Sequence, residues 1–327
     1  MKRVLVTEFI HDDGIALLAD RSDVELIQAD DARPETLARL LPGVHGVAVR
    51  TAKLTEDLLA LSNDLEVVSR HGVGCDNVAV DYLTGRNIPV AIAAGANSTS
   101  VAELTFALLL TLTRRVREID HAVRSGNYAA RAELLALELE GANLLVIGFG
   151  RVGRKVAARA RAFGMNVTVA DIALDRELAD ELGCKAVGDF RPELAAADVV
   201  TLHVPLDDST RHFVSAAEFG AMKRGAILIN CARGGIVDEA ALLAALKDGQ
   251  LSGAGIDVYS TEPPPLDGPV FKDLLQRDDV ILAPHAGAAS HGAMRSMAVM
   301  AAQNILDTFD GTLKPDCTFN FEALNAS

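Results

Sequence analysis

The chain has 327 residues, half of them hydrophobic and 23% charged, which is enough for two domains with separate cores and too apolar for general disorder. Its formal net charge of −14 argues against a nucleic-acid backbone or an anionic membrane as the main partner, because both require basic surface. A small anionic ligand at a locally positive site stays open. No apolar run reaches the ~18 residues of a membrane-spanning helix.

The N-terminal MKRVLVTEF places a short apolar run after two basic residues. It is expected to be a first strand rather than a signal peptide. Further strands are expected at Val24–Ile27, Gly46–Val49, Glu66–Ser69 and Val90–Ile92, after one at Val4–Thr7. Helical stretches such as Pro34–Leu41 and Leu54–Leu61 separate them. A long helix is expected from about Ser98 to Arg124, ended by Ser125-Gly126-Asn127. A second series then offers strands at Leu144–Ile147, Val167–Ala170, Val199–His203, Ile227–Asn230, Gly255–Asp257 and Val280–Leu282, with helices such as Val152–Phe163 and Glu239–Lys247 and a last helix near Gly292–Asp310. Strand and helix alternate, and the strands are nearly continuous apolar runs. Both features predict α/β domains whose mostly parallel sheets are covered on both faces.

Cys75, Cys184, Cys231 and Cys317 are widely spaced and form no CxxC pair. They are expected to be isolated reduced thiols of a cytosolic protein, with no disulfide framework and no metal site.

The segment LLVIGFGRVGRKVA, Leu144–Ala157, reads as strand, glycine turn and helix. Gly148 permits a tight turn, Gly150 lets a pyrophosphate approach the backbone, and Gly153 lets helix and strand pack closely. The helix N-terminus then offers free N–H groups to phosphates. Asp171 ends the next strand, 18 residues beyond Gly153, about where an acidic residue accepts hydrogen bonds from the adenosine ribose. Its carboxylate would repel a 2′-phosphate, so NAD is expected over NADP.

Ligands of open α/β sheets bind beyond the carboxyl ends of the strands, so polar residues there are candidates. Arg233 in NCARGGIVD can grip a carboxylate with two parallel hydrogen bonds. Glu262 in DVYSTEPPP can hold a histidine in one tautomer for acid–base work. His285 in PHAGAAS follows a strand, but His203 does too, and His71 sits in a glycine-rich loop. Periodicity does not choose among the three histidines.

Seven ordered motifs carry a resemblance that spans nearly the whole chain. They are RHGVGCDN (Arg70–Asn77), AGANSTSVAELT (Ala94–Thr105), GFGRVG (Gly148–Gly153), HVPL from His203 with Thr210, NCARGGIVDE (Asn230–Glu239), DVYSTEP (Asp257–Pro263) and PHAGAAS (Pro284–Ser290). The chain resembles the D-isomer-specific 2-hydroxyacid dehydrogenase family, and within it is most similar to D-3-phosphoglycerate dehydrogenase cores without a regulatory domain.

The resemblance implies two Rossmann-like or flavodoxin-like parallel-sheet domains with an active-site cleft between them. Residues 1–98 plus 291–327 would form the substrate domain and residues 99–290 the NAD-binding domain. It implies Arg233, Glu262 and His285 as catalytic residues. Arg233 would bind the substrate carboxylate, His285 would be general acid or base, and Glu262 would pair with it. Val73, Gly148, Gly150, Arg151, Val152, Gly153, Asp171, His203, Val204, Pro205, Thr210, Cys231, Ala232, Asp257, Gly287 and Ala288 would line the cofactor. Arg50, Gly72, Val73 and Gly74 would meet the substrate together with Arg233 and His285.

The expected activity is NAD-dependent hydride transfer at the CH–OH group of a small D-2-hydroxy acid, with 3-phosphoglycerate a candidate. The alternatives are a glyoxylate/hydroxypyruvate reductase and, in another class, an NADH-sensing corepressor-like scaffold. Val73 stands where similar phosphite dehydrogenases carry Lys, and the Glu262–His285 combination is absent from formate dehydrogenases. The resemblance also implies a cytoplasmic homodimer or tetramer formed through the nucleotide domain.

Overall fold

Among the described residues, 1–325, the computed structural model places twelve strands in two separate parallel sheets. Ala326 and Ser327, the end of the expected 291–327 segment, lie outside the described residues. The chain divides into two units. The first combines Met1–Asn97 with the segment from Ala288 onward, and the second is Ser98–Gly287.

The first unit holds β1 (Lys2–Val6), β2 (Val24–Gln28), β3 (Gly46–Val49), β4 (Val67–Arg70) and β5 (Val90–Ile92), in the order β2-β1-β3-β4-β5. This is a flavodoxin-like order, which reverses between β1 and β3. Successive residues of a strand face opposite sides, and both sides are buried. Leu5, Val47, Val68 and Val90 pack on one face with Leu37, Leu59 and Leu83. Val4, Val6, Ala48, Val67 and Ala91 pack on the other against Ala298, Ala302 and Ile305 of the helix His291–Phe309. Double coverage explains why these strands read as apolar runs rather than as alternating patterns.

The second unit holds β6 (Asn143–Ile147), β7 (Asn166–Ala170), β8 (Lys185–Val187), β9 (Val199–Leu202), β10 (Ala226–Asn230), β11 (Leu251–Ile256) and β12 (Val280–Leu282). Their order is β12-β11-β10-β9-β6-β7-β8, a Rossmann-like sheet with its switch point between β6 and β9. Leu145, Ile147, Val200, Leu228 and Ile256 face one core. Leu144, Val146, Val167, Val199 and Ile229 face the other, with Phe106 and Leu109.

Several expectations need correction. The strand expected at Gly255–Asp257 runs Leu251–Ile256, the one expected at Val4–Thr7 runs Lys2–Val6, and the helix expected over Leu54–Leu61 is the single turn Glu56–Leu59. The long helix from Ser98 to Arg124 is two helices, Ser98–Thr113 and Val116–Arg124. The first buries Val101, Ala102, Phe106, Leu108 and Leu109, whereas the second buries no residue. The break falls at Arg115, left-handed at φ +52°, where the core contact that sustains the first helix has run out. The strand expected at Glu66–Ser69 is shifted by one residue, because Arg70 pairs with Ile92 in the β4–β5 ladder. β8 was not expected. Lys185-Ala186-Val187 is an edge strand with an exposed lysine, and its two apolar residues are too short a run to announce a strand. No described helix is long and apolar enough to cross a membrane.

Candidate active site

In the second unit, β6 ends at Ile147 and the chain turns through Gly148 at φ +97°. A Cβ on Gly148 would lie 2.5 Å from the backbone carbon and oxygen of His203, on the other side of the switch point. A Cβ on Gly153 would lie 1.9 Å from the Gly148 carbonyl oxygen. These two positions therefore admit only glycine. Gly150 is different: a Cβ there meets nothing within 4 Å. It is the N-cap of the helix Arg151–Ala162, and no side chain caps that helix. Open space beside uncapped N–H groups suits a phosphate.

Asp171 follows β7 and is tied to this turn. Its Oδ2 accepts the Phe149 N–H at 2.6 Å and its Oδ1 accepts the Ala173 N–H at 2.8 Å. Ile172 beside it is fully exposed. Two nearby arginines are engaged elsewhere. Arg154 donates to the Phe149 carbonyl and pairs with Asp175, and Arg176 donates to the Ala186 carbonyl. The turn, the uncapped helix and the acid at the strand end fit a dinucleotide without a 2′-phosphate.

Three neighbouring strands of the same sheet bring the proposed chemistry together at their carboxyl ends. Arg233 follows β10, and its Nη1 donates to the Ala232 carbonyl at 2.7 Å. Asn230, almost fully buried, shapes this turn. Its Oδ1 accepts the Ala232 N–H and its Nδ2 donates to the Arg233 carbonyl. Gly234 lets the turn approach the chain after β11, since a Cβ there would sit 1.7 Å from the Tyr259 carbonyl oxygen.

Asp257 follows β11 and is buried. Its carboxylate accepts the N–H of Ala286 at 2.6 Å and of Gly287 at 2.9 Å, and its carbonyl accepts the His285 N–H at 2.8 Å. Burial raises its pKa by more than those N–H bonds lower it. Asp257 thus folds the loop after β12 so that His285 stands at φ +53°, left-handed. Glu262 Oε2 lies 2.7 Å from His285 Nδ1, and Glu262 Oε1 accepts the Tyr259 N–H at 3.1 Å. Both side chains of the pair are partly exposed, so the imidazole is oriented yet reachable.

The remaining expected cofactor residues are in several settings. Arg151 and Val152 open the helix after the glycine turn. Val204 is half-buried, Pro205 exposed, Gly287 buried and Ala288 half-buried. Thr210 ties its own loop, donating to the Pro205 carbonyl at 2.7 Å and accepting the Asp207 N–H at 2.8 Å. His203 lies 2.9 Å by Nε2 from the Thr201 hydroxyl, and burial pushes its pKa down to about 3, so it stays neutral. Burial pushes the Cys231 thiol up to about 12, which excludes it as a nucleophile near neutral pH.

In the first unit, Arg50 follows β3, and Gly72, Val73 and Gly74 follow β4. Arg70 is committed to holding that loop. Its Nε donates to Asn77 Oδ1 at 3.0 Å and its Nη1 to the His71 carbonyl at 2.9 Å. Gly72 stands at φ +152°, and a Cβ there would lie 3.0 Å from Arg70 Nη1. His71 is buried, with Nε2 3.3 Å from the Met294 carbonyl, and burial pushes its pKa down to about 4. Asn230, Asn77 and the loop-folding role of Asp257 were missed in the sequence. Asn230 and the Asp257 carboxylate bond backbone groups, and Asn77 bonds two backbone carbonyls besides the Arg70 side chain; backbone partners leave no residue-type signal.

Residues 106–287 match the model of the D-isomer specific 2-hydroxyacid dehydrogenase, NAD binding domain. A D-3-phosphoglycerate dehydrogenase of Methanocaldococcus jannaschii is 38% identical over 96% of this chain and 58% of its own length. The chain spans the same 58% of two further curated D-3-phosphoglycerate dehydrogenases. A glyoxylate reductase of Thermococcus litoralis is 35% identical over 99% of this chain and 98% of its own length. Among solved structures, a D-lactate dehydrogenase from Aquifex aeolicus, complexed with NAD and lactic acid, aligns with a TM-score of 0.83 and 30% identity over 95% of this chain and 96% of that one. The two parallel-sheet units, the glycine turn with its acid and these matches together establish that the chain belongs to the D-isomer specific 2-hydroxyacid dehydrogenase family.

Proposed function

We propose that the chain is an NAD-dependent oxidoreductase that interconverts a small D-2-hydroxy acid and its 2-keto acid, with D-3-phosphoglycerate the first candidate substrate. The observation that carries this reading is the 2.7 Å pair of Glu262 and His285 at the end of a strand two places from that of Arg233, within a unit that matches the family's NAD-binding domain. NAD held at the glycine turn and Asp171 would supply or accept the hydride.

The roles are those that the family resemblance implies, and the chemistry of Arg233, His285 and Glu262 suits each of them. Arg233 binds the substrate carboxylate and polarises the keto oxygen, as a planar guanidinium held at its backbone by Asn230 is suited to do. His285 gives a proton to the keto oxygen in reduction and takes it back in oxidation. Glu262 accepts the Nδ1 proton, so Nε2 is the atom that exchanges it. Gly72, Val73 and Gly74 offer backbone N–H groups to the carboxylate, and Arg50 meets an anionic tail. The remaining expected residues line the cofactor, with Asp171 selecting NAD over NADP.

A second reading, a glyoxylate/hydroxypyruvate reductase, has its own support. The Thermococcus litoralis glyoxylate reductase matches over nearly its full length. A kcat/KM panel separates the two. It compares D-3-phosphoglycerate plus NAD with hydroxypyruvate, glyoxylate and pyruvate plus NADH, for wild type and Arg50→Ala. Preference for phosphoglycerate, weakened selectively by Arg50→Ala, supports the first reading. Preference for an untailed keto acid, unmoved by Arg50→Ala, supports the second. NADH binding without turnover of any of them leaves a corepressor-like scaffold and overturns both.

We also propose a homodimer or tetramer joined through the second unit, in a cytoplasmic setting. The helix Val116–Arg124 has no buried residue and exposes Val116, Ile119 and Val123, with Tyr128 and Leu135 exposed just beyond it. An exposed apolar row of this kind supports a self-contact. Cys75, Cys184, Cys231 and Cys317 stand as thiols and not as disulfides, which supports a reducing compartment. A monomeric mass for wild type in solution would remove the dimer.

A further inference from the structure

We propose that Glu8 is the built-in ligand of an anion-binding nest at the switch point of the first sheet, and that it is a positioning residue for Arg50. The second part rests on the reading that Arg50 meets the substrate.

β1 and β3 are adjacent, and the strand order reverses between them. The crevice beyond such a pair is where an open α/β sheet receives its ligand. Here the chain's own carboxylate fills it. Thr7 prolongs the pairing through its N–H to the Ala48 carbonyl, at 3.0 Å. Glu8 then reaches across to the segment after β3. Its Oε2 accepts three consecutive backbone N–H groups, those of Arg50 at 3.1 Å, Thr51 at 2.7 Å and Ala52 at 2.8 Å. Its Oε1 accepts the Thr51 hydroxyl. Consecutive N–H groups converging on one point make an anion cradle.

The two outer residues of the three, Arg50 and Ala52, are also held from their other side. Asn77 Nδ2 donates to the Ala52 carbonyl at 2.7 Å and to the Arg50 carbonyl at 3.4 Å, and Arg70 in turn donates to Asn77 Oδ1. Burial raises the Glu8 pKa, but the four hydrogen bonds outweigh it and hold the carboxyl below its usual range. It is therefore ionised near neutral pH, as the cradle requires. Both the N–H and the carbonyl of Arg50 are fixed, and with them the point from which its guanidinium projects. Because Glu8 fills the nest, an incoming anion meets the Arg50 side chain and not these N–H groups.

The test uses the full chain with Glu8→Ala, Glu8→Gln, Arg50→Ala and the Glu8→Ala/Arg50→Ala double variant. Amide hydrogen exchange is followed at residues 50–52, with and without sodium acetate. Exchange in Glu8→Ala is expected to accelerate by about tenfold or more, and acetate is expected to slow it again in Glu8→Ala but not in wild type. Unchanged exchange, or acceleration that acetate does not reverse, overturns the nest. If Glu8→Ala loses its native circular dichroism, Glu8→Gln carries the comparison, since it keeps the shape but replaces one acceptor by a donor.

Kinetics judge the positioning role. For the substrate that Arg50→Ala weakens, Glu8→Ala is expected to raise KM by about tenfold and leave kcat within about twofold. The double variant is expected to be no worse than Arg50→Ala alone. A fall in kcat with KM unmoved, or additive losses in the double variant, overturns that role. If Arg50→Ala changes no kcat/KM while His285→Asn abolishes turnover, the Arg50 reading fails. The positioning role is then overturned with it, and the exchange result still decides the nest.

Discussion

Glu262 Oε2 lies 2.7 Å from His285 Nδ1, on a histidine whose backbone is held in the left-handed region. Such a conformation costs a non-glycine residue roughly 1 kcal/mol or more. Asp257 sustains it through the N–H groups of three successive residues, His285, Ala286 and Gly287. His285→Asn is expected to lower kcat for keto-acid reduction by about 10²–10⁴-fold. Glu262→Gln should cost less, because an amide oxygen still accepts the Nδ1 proton. Steady-state kcat of both variants checks this, and a near-normal rate in His285→Asn removes the residue from proton transfer.

Arg233→Lys keeps the charge and loses the planar fork. If two parallel bonds to a carboxylate matter, kcat/KM should fall by about 10²-fold despite the conserved charge. A drop of less than about threefold would mean that charge alone suffices, and the two-bond grip would be discarded.

Asp171 accepts one N–H of the glycine turn, that of Phe149, and one of its own loop, that of Ala173. Asp171→Ser removes the charge and keeps an acceptor. The ratio of kcat/KM with NAD to that with NADP should fall by about tenfold or more. A constant ratio would assign Asp171 to shaping the turn alone.

His71 makes a separate prediction for stability. Burial holds its folded pKa at about 4, whereas an unfolded histidine titrates near ~6.5. Between those values the unfolded state binds more protons, so unfolding free energy should rise with pH across the window and be lost as pH falls through it. His203 acts in the same direction. Urea titrations of His71→Gln should show a shallower pH dependence between about pH 4 and 6.5, by at most ~1.4 kcal/mol per pH unit. An identical slope in wild type and variant would show that His71 protonates as readily folded as unfolded.

Two glycines predict opposite signs. Gly234→Ala would force a Cβ to 1.7 Å from the Tyr259 carbonyl oxygen, so the turn carrying Arg233 must move, at about 3 kcal/mol or more. Gly220 lies inside the helix Ala216–Ala221, and a Cβ there meets nothing within 4 Å. Gly220→Ala should stabilise by about 0.5–1 kcal/mol. Thermal unfolding of the pair checks both signs in one experiment.

What the sequence determined by itself is local. Apolar runs such as Leu144–Ile147 and Val199–Leu202 announce strands because a doubly covered sheet buries both faces of each strand. The spacing of Gly148, Gly150 and Gly153 announces the phosphate turn because the need for a missing Cβ is set within a few residues. The family motifs are contiguous and readable for the same reason. Tertiary structure decided what depends on burial and on partners far along the chain. Periodicity did not choose among His71, His203 and His285; the fold buries His71 and half-buries His203, both as neutral rings, and leaves the third exposed against an acid 23 residues away. The helix break at Arg115 appears only where the core of the second unit ends. Glu8 reads as an ordinary surface acid until β3 is laid beside β1, bringing residues 42 to 44 positions distant within hydrogen-bond reach. Backbone N–H groups carry no residue identity, so an anion cradle built from them exists only in the folded chain.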